Sequence, residues 1–451
     1  MERMEKKMDK QFGLIGFPLE HSVSDVLHKN LFEMKKNKDS KYNFYETNKE
    51  EFSEKLDVYR HTLNGFNVTV PYKIKIADYL DFIDEHAKII GAVNTVKTSS
   101  GFLNGYNTDI DGLEYCFKQD KVGLNKKTAL IIGCGGLSKT AAYFLHLNKA
   151  HITVCGRDMQ KLIAFQKECD SNKIRIEIKS LKNLSGEFDI IINCTPVGQS
   201  PFFDKMPLDP NLVKCKEYYF DAIYNPRKTL LYKHFEGRKI LCRDGLLMLV
   251  VQAAKAQEIF FGYKFSNSEL LKAYFDLGLH MFKKVANQNL NSICLTGFMG
   301  SGKTTVGKEL AKLIGFKFID TDKEIEDKYG KINSIFKNDG EKKFREYETE
   351  ILTMALKNKK VVIATGGGAV EKNSKIIKEK SFCIYLACDF FEITKRVYST
   401  PNTVTRPLFK DLDVAEELYK KRTRMYENSC HLKINGNTTL KENLLEIFSA
   451  V

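Results

Sequence analysis

The segment GFMGSGKT at residues 297–304 has the composition of a phosphate cradle. Gly297, Gly300 and Gly302 allow backbone N–H groups to turn inward around phosphate oxygens, and Lys303 can reach the outer phosphates. The Thr304 hydroxyl suits Mg2+, and Ser301 and Thr305 complete the expected ATP-binding loop. A β-like run, ICLTGF (293–298), leads into the loop and the helical pattern TTVGKELAKLI comes after it, which is the context such a loop needs. Nucleotide binding and phosphoryl transfer are predicted. The acceptor is left unnamed.

Residues C-terminal to the loop bear on the acceptor. FKFIDTD (316–322) reads as a strand carrying Asp320 and Asp322 to one face, one for the metal and the other for a hydroxyl. Downstream come Arg345 and Glu348 in FREYE, Gly366, Gly367 and Gly368 in ATGGG, Arg406 in TRPLF and Arg422 in RTRMY. An isolated arginine is ordinarily a solvated charge and a glycine triplet a flexible turn, so the information lies in their order.

A second glycine turn lies upstream. ALIIGCGGLSKTAAYFL (129–145) reads as strand, turn and helix, with Gly133, Gly135 and Gly136 in the turn of a dinucleotide fold. Near the end of the next strand stands Arg157, where NAD enzymes place an acid for the ribose hydroxyls, and an arginine there suits the 2'-phosphate of NADP. Asp158 puts a negative charge beside it and keeps NAD open.

Ahead of that turn lie four polar motifs: GFPLEHSVSD (16–25), FNVTVPYK (66–73), GAVNT (91–95) and GYNTDIDG (105–112). Taken singly they are ordinary. Ser22 and Ser24 fit a helix cap, Asn94 and Asp109 fit turns, and Lys73 fits an exposed surface.

The elements that must position these residues are legible as alternation. The runs ALII (129–132), HITVC (151–155), DIIINC (189–194), ICLTGF, VVIAT (361–365) and CIYLA (383–387) are separated by amphipathic segments, which predicts parallel sheets wound with helices. A chain of 451 residues exceeds one core. The fold class expected is α/β, with an N-terminal substrate part and a Rossmann-type part followed by a P-loop NTPase-type domain with a lid. The boundaries expected are a disordered tail over 1–10, the substrate part over 11–110, and the dinucleotide part over 111–284 with its last helices returning to the substrate part. A linker over 285–291 and the P-loop domain over 292–451 complete the chain.

Eleven scattered cysteines without CxxC or zinc spacing read as small buried apolar residues. The net charge of +14 is spread along the chain, which argues against a nucleic-acid partner and for attraction of anionic substrates. No apolar run approaches the roughly 18 residues of a membrane span and the start lacks a signal-peptide core, so a cytoplasmic protein with no membrane partner is expected. Oligomeric state is not readable from these features.

In their order, the rear motifs resemble shikimate kinase over residues 292–451. The resemblance implies ATP with Mg2+, Lys303 and Asp322 in catalysis, and Thr304 with Asp320 at the metal. It further implies Asp322, Arg345, Gly367 and Arg422 around the shikimate hydroxyls and carboxylate, with Arg406 on a closing lid. Where that family has a proline before a Leu-Tyr pair, this chain reads Arg424-Met425-Tyr426, which leaves Arg422 and Arg424 both available to the carboxylate, spacing favouring Arg422.

The front motifs, with NCTPVG (193–198), DAIYNP (221–226) and GLLMLVVQAA (245–254), resemble shikimate dehydrogenase over about residues 11–280. By that likeness Ser22 and Ser24 hold the substrate carboxylate, and Thr69, Asn94, Asp109 and Gln252 face the ring hydroxyls. Lys73 and Asp109 form the catalytic pair, while Gly133, Gly135, Gly136 and Arg157 bind NADP(H). The chain departs from the pattern at Asp25, Leu137, Gly156 and Asp158. An ordinary lysine is protonated near neutrality, so proton donation during reduction is the easier direction to rationalise.

Both resemblances meet at one metabolite of aromatic amino acid biosynthesis. They imply NADPH-dependent reduction of 3-dehydroshikimate to shikimate, then ATP-dependent phosphorylation to shikimate 3-phosphate. Two other readings of the front part stay open: a quinate/shikimate dehydrogenase using NAD, and a non-catalytic shikimate-binding regulatory module.

Overall fold

The computed structural model describes residues 9–20, 22–199, 202–399, 409 and 411–450. It divides into two compact units, Met1–Leu277 and Gly278–Val451.

The first unit contains two six-stranded sheets. In the first sheet the spatial order is Ser40–Glu46, Lys10–Gly16, Gly65–Val68, Thr95–Ser99, Phe102–Tyr106, Phe82–Ile83. Lys10–Gly16 pairs in parallel with both neighbours, whereas Thr95–Ser99 is antiparallel to the strands on either side of it. Residues 1–8 of the expected tail lie outside the described residues, and Lys10 already opens a strand.

In the second sheet the order is Leu241–Arg243, Val213–Asp221, Gly186–Asn193, Thr128–Ile132, His151–Gly156, Glu177–Ser180, parallel throughout. The apolar run ALII is buried along its whole length, as a strand covered by helices on both faces must be. The order reverses between Thr128–Ile132 and Gly186–Asn193, and in such sheets the ligand crevice opens outside the carboxyl ends at that point.

The helix Leu246–Phe261 crosses the helix Asp109–Gln119 closely because residue 112 is glycine. A Cβ on Gly112 would lie 2.8 Å from the Met248 carbonyl oxygen. This close approach brings Gln252 up to the residues at the end of the first sheet.

The second unit holds a parallel five-stranded sheet in the order Lys317–Asp320, Val361–Ala364, Ser292–Thr296, Phe382–Ala387, Leu432–Asn435. Its central strand Ser292–Thr296 is wholly buried and runs directly into the glycine loop, after which the helix Lys303–Ile314 begins.

Two sequence expectations need correction. The strand expected over 316–322 ends at Asp320, and Asp322 lies in the first turn of the helix Thr321–Tyr329, because the Asp320 side chain accepts the Asp322 and Lys323 N–H groups and caps that helix. The segment expected as a linker, 285–291, is helical through Asn289 as part of the helix Asn267–Asn289. Its polar residues fit an exposed helix as well as a loop. All eleven cysteines are free, buried or half-buried thiols. Among the described residues no helix is long and apolar enough to cross a membrane.

Candidate active sites

In the first unit Lys73 is fixed from both sides of its own backbone. Tyr72 is 1% exposed, stacks on Phe52 at 4.1 Å and donates its hydroxyl to the Thr47 carbonyl at 2.6 Å, while the Lys73 carbonyl accepts Val93 N–H at 2.7 Å. The Lys73 ammonium, thus aimed, donates to Asp109 Oδ2 at 2.6 Å. Asp109 opens the helix Asp109–Gln119, where a carboxylate is favoured by the free N–H groups and the helix dipole.

The other Asp109 oxygen, Oδ1, accepts the Asn94 side-chain amide at 2.9 Å. That amide also reaches Thr108 Oγ1 at 3.1 Å and Gln252 Oε1 at 3.3 Å. Lys73, Asp109, Asn94 and Gln252, distant in sequence, therefore form one hydrogen-bonded set. Ser22 donates its hydroxyl to Ser24 Oγ at 3.1 Å at the start of the helix Ser24–Met34. Thr69 comes directly after the strand Gly65–Val68 and packs on Gly16 at the end of the neighbouring strand. Asp25 is the next residue of the Ser24–Met34 helix and falls in its acidic first turn.

The glycine turn of the second sheet lies against this set. A Cβ on Gly136 would sit 3.5 Å from the Lys73 Cβ. Gly133 has φ of 107°, and a Cβ there would come within 3.0 Å of the Thr195 methyl, so the turn admits only glycine. No atom lies within 4 Å of a Cβ built on Gly135, which leaves that side of the turn open for a pyrophosphate. These are the features of a dinucleotide cradle. Arg157 is exposed beyond the strand His151–Gly156. Asp158 is the N-cap of the helix Met159–Ser171, accepting Gln160 N–H at 3.0 Å and Lys161 N–H at 3.2 Å. Leu137 lies in the first turn of the helix Gly136–Leu147, half-buried.

In the second unit the loop glycines Gly297, Gly300 and Gly302 all have positive φ, at 146°, 82° and 98°. Lys303 is folded over the loop, donating to the Gly297 and Phe298 carbonyls at 2.8 and 2.9 Å. Thr304 Oγ1 donates to Asp320 Oδ2 at 2.8 Å. Two hard oxygen donors side by side at a phosphate loop fit Mg2+, which takes few protein ligands and completes its shell with water and phosphate. Ser301 is buried in the loop, and Thr305 lies in the helix beyond it. Arg396 bonds the Gly436 carbonyl at 2.9 Å and reaches the Ser301 carbonyl at 3.4 Å.

The glycine triplet makes room for charge. A Cβ on Gly366 would lie 2.5 Å from Asp322 Oδ1 and 2.8 Å from Glu348 Oε1, and one on Gly368 would enter the Arg345 guanidinium. Gly367 approaches Met299 N, where a Cβ would stand at 3.2 Å, and its carbonyl accepts the Tyr426 hydroxyl. Arg345 Nη1 donates to Glu348 Oε2 at 2.8 Å and Nη2 to Glu341 Oε1 at 3.0 Å. Burial, and then the neighbouring Asp320 carboxylate, holds Asp322 above the usual aspartate range. Burial likewise raises Glu348, whose Oε1 is enclosed with no hydrogen-bond partner among the described residues.

Arg422 is buried and donates Nε–H to Glu371 Oε1 at 3.0 Å, whereas Arg424, two residues on along the same helix, is exposed. Arg406 lies outside the described residues. Sequence reasoning did not single out Tyr72, Thr108 or Glu371, and it named Glu348 only as part of a motif. For Glu348 a signal existed, since residues three apart share a helix face.

The fold and the two sites define a two-part α/β enzyme, an oxidoreductase unit followed by a P-loop kinase unit. Residues 14–96 match the family model of the shikimate dehydrogenase substrate binding domain, 117–229 that of shikimate / quinate 5-dehydrogenase, and 299–451 that of shikimate kinase. A shikimate dehydrogenase (NADP(+)) of Caldanaerobacter subterraneus subsp. tengcongensis is 35% identical over 257 residues, covering 55% of this chain and 90% of the relative. A chorismate mutase/shikimate 5-dehydrogenase fusion protein from Clostridium acetobutylicum is similar in structure, with a TM-score of 0.54 and 33% identity over 59% of this chain and 97% of that one. A shikimate dehydrogenase solved in complex with NADP+ gives a TM-score of 0.55 and 33% identity, covering 59% and 95%. The chain belongs to the shikimate dehydrogenase family and carries a shikimate kinase domain behind it.

Proposed function

We propose that this cytoplasmic enzyme catalyses two consecutive steps of chorismate biosynthesis. The first unit reduces 3-dehydroshikimate to shikimate with NADPH, and the second phosphorylates the 3-hydroxyl of shikimate with ATP. The observation that carries the reading is the Lys73–Asp109 pair, bonded at 2.6 Å and packed against the Gly136 turn.

When bound, the nicotinamide supplies the hydride. Lys73 stabilises the charge that develops on the substrate carbonyl oxygen and delivers a proton to that oxygen. Asp109 orients the ammonium, and Asn94 fixes Asp109 while presenting amide groups to the ring hydroxyls together with Gln252 and Thr69. Ser22 and Ser24 hold the carboxylate. Arg157 takes the 2'-phosphate, and its neighbour Asp158 competes weakly because its carboxylate already accepts two helix N–H groups. An NAD-linked quinate dehydrogenase is the competing reading, and initial rates with each cofactor and acid separate the two. Retention of the Lys73–Asp109 pair speaks against a non-catalytic front module.

In the second unit, Thr304 and Asp320 would hold Mg2+, which supplies neutralisation of phosphate charge. Asp322 accepts the hydrogen bond of the attacking hydroxyl, Lys303 and the loop N–H groups hold the phosphates, and Arg345 and Arg422 grip the carboxylate. Positioning is the main demand of such a transfer, and buried arginines held by glutamates meet it. Purified protein that failed to consume NADPH with 3-dehydroshikimate, or failed to consume ATP with shikimate, would overturn the assignment.

A further inference from the structure

The two arginines assigned to the substrate carboxylate are linked by a residue that the proposed reaction does not use. Glu371 stands in the first turn of the helix Val370–Lys380. Its Oε1 accepts Arg422 Nε–H at 3.0 Å, and its Oε2 lies 3.8 Å from Arg345 Nη2. Arg345 belongs to the helix Gly340–Ala355 and Arg422 to the helix Leu412–Ser429, so one carboxylate ties three helices at the pocket.

The two arginines are held differently. Both Nη groups of Arg345 are already bonded to glutamates, Glu348 and Glu341. Arg422 is bonded at Nε alone, and its Nη groups carry no hydrogen bond among the described residues. A guanidinium is a rigid planar fork, so an acceptor fixed at Nε sets the plane and leaves the Nη edge to meet a second carboxylate end-on. With a side chain only 5% exposed, Arg422 has little other means of being oriented by solvent.

We infer that Glu371 is a positioning residue for the kinase reaction: it orients the Arg422 fork toward the substrate carboxylate. This rests on the proposed phosphorylation of shikimate. The Glu371 carboxylate bonds Arg422, on the carboxylate side of the proposed site, so its loss should weaken substrate binding and spare the chemical step.

The test is steady-state kinetics on the full chain. Glu371→Ala should raise the KM for shikimate roughly tenfold, the scale of one charge-assisted hydrogen bond, with kcat held within about twofold. Glu371→Gln keeps an oxygen acceptor for Nε–H and should restore most of the affinity. In an Arg422→Ala background the Glu371→Ala change should add nothing, because the effect passes through Arg422. The KM for ATP and the reductase activity of the same chain should be unchanged, reporting an intact fold. An unchanged shikimate KM in Glu371→Ala, or a full additional loss in the Arg422→Ala background, would overturn the inference. A wild-type chain that does not phosphorylate shikimate contradicts the proposed function instead, and the two failures are read in separate assays.

Discussion

The Lys73 ammonium lies 2.6 Å from Asp109 Oδ2, while the Asn94 amide holds the opposite oxygen of the same carboxylate at 2.9 Å. Asp109 is thereby fixed at both oxygens and Lys73 at its charged end, the arrangement that the proposed proton delivery by Lys73 requires. Lys73→Ala should lower the reductase kcat by about 10²–10⁴, the usual contribution of a placed general acid, and leave the kinase untouched. Measuring NADPH loss and ADP release separately on one preparation checks both halves. Equal losses in both would point to misfolding.

The Asp158 carboxylate beside Arg157 accepts two helix N–H groups. It caps the helix Met159–Ser171, so Asp158→Ala should cost about 1 kcal/mol of stability, measured by denaturant unfolding, and leave the NADPH-over-NADH preference within about twofold. Arg157→Ala should raise the KM for NADPH about tenfold with little change for NADH, the mark of a lost 2'-phosphate contact.

Much of this arrangement is legible in the sequence, and the reason differs by element. ALII and ICLTGF are buried strands whose apolar runs end in glycine turns, a local pattern that needs no tertiary knowledge. FKFIDTD reads as a strand through Asp322, with both aspartates on one face. The Asp320 side chain ends that strand two residues earlier by capping a helix. The polar stretch 285–291 resembles a linker because an exposed helix and a loop share one composition. Tyr72 and Glu371 are not legible at all, since their roles lie in contacts with Thr47 and Arg422, which only folding brings near.

The arginine left ambiguous by spacing is distinguished by burial. Arg422→Ala should raise the KM for shikimate by one to two orders of magnitude, in keeping with the loss of a charged hydrogen-bonding partner. Arg424→Ala, at an exposed site, should change it by less than about twofold. Shikimate titrations at saturating ATP decide between them.

In the proposed mechanism the pH dependence of the kinase follows Asp322. Burial, then Asp320, raises its pKa, so the protonated form persists to higher pH than for an ordinary aspartate. If the ionised form accepts the hydroxyl proton as proposed, kinase kcat/KM should fall with decreasing pH through an acid limb above the usual aspartate range near 3.8. Glu348, raised by burial in the same pocket, titrates with it, and the limb belongs to the pair. A pH-rate profile at fixed ionic strength measures this.

The most direct measurement is a coupled assay on the purified chain with 3-dehydroshikimate, NADPH and ATP-Mg. NADPH oxidation should begin at once, and ADP release should rise only as shikimate accumulates, with shikimate 3-phosphate as the final product. NADPH loss without ADP release, ADP release without NADPH loss, or neither, would contradict the two-step account.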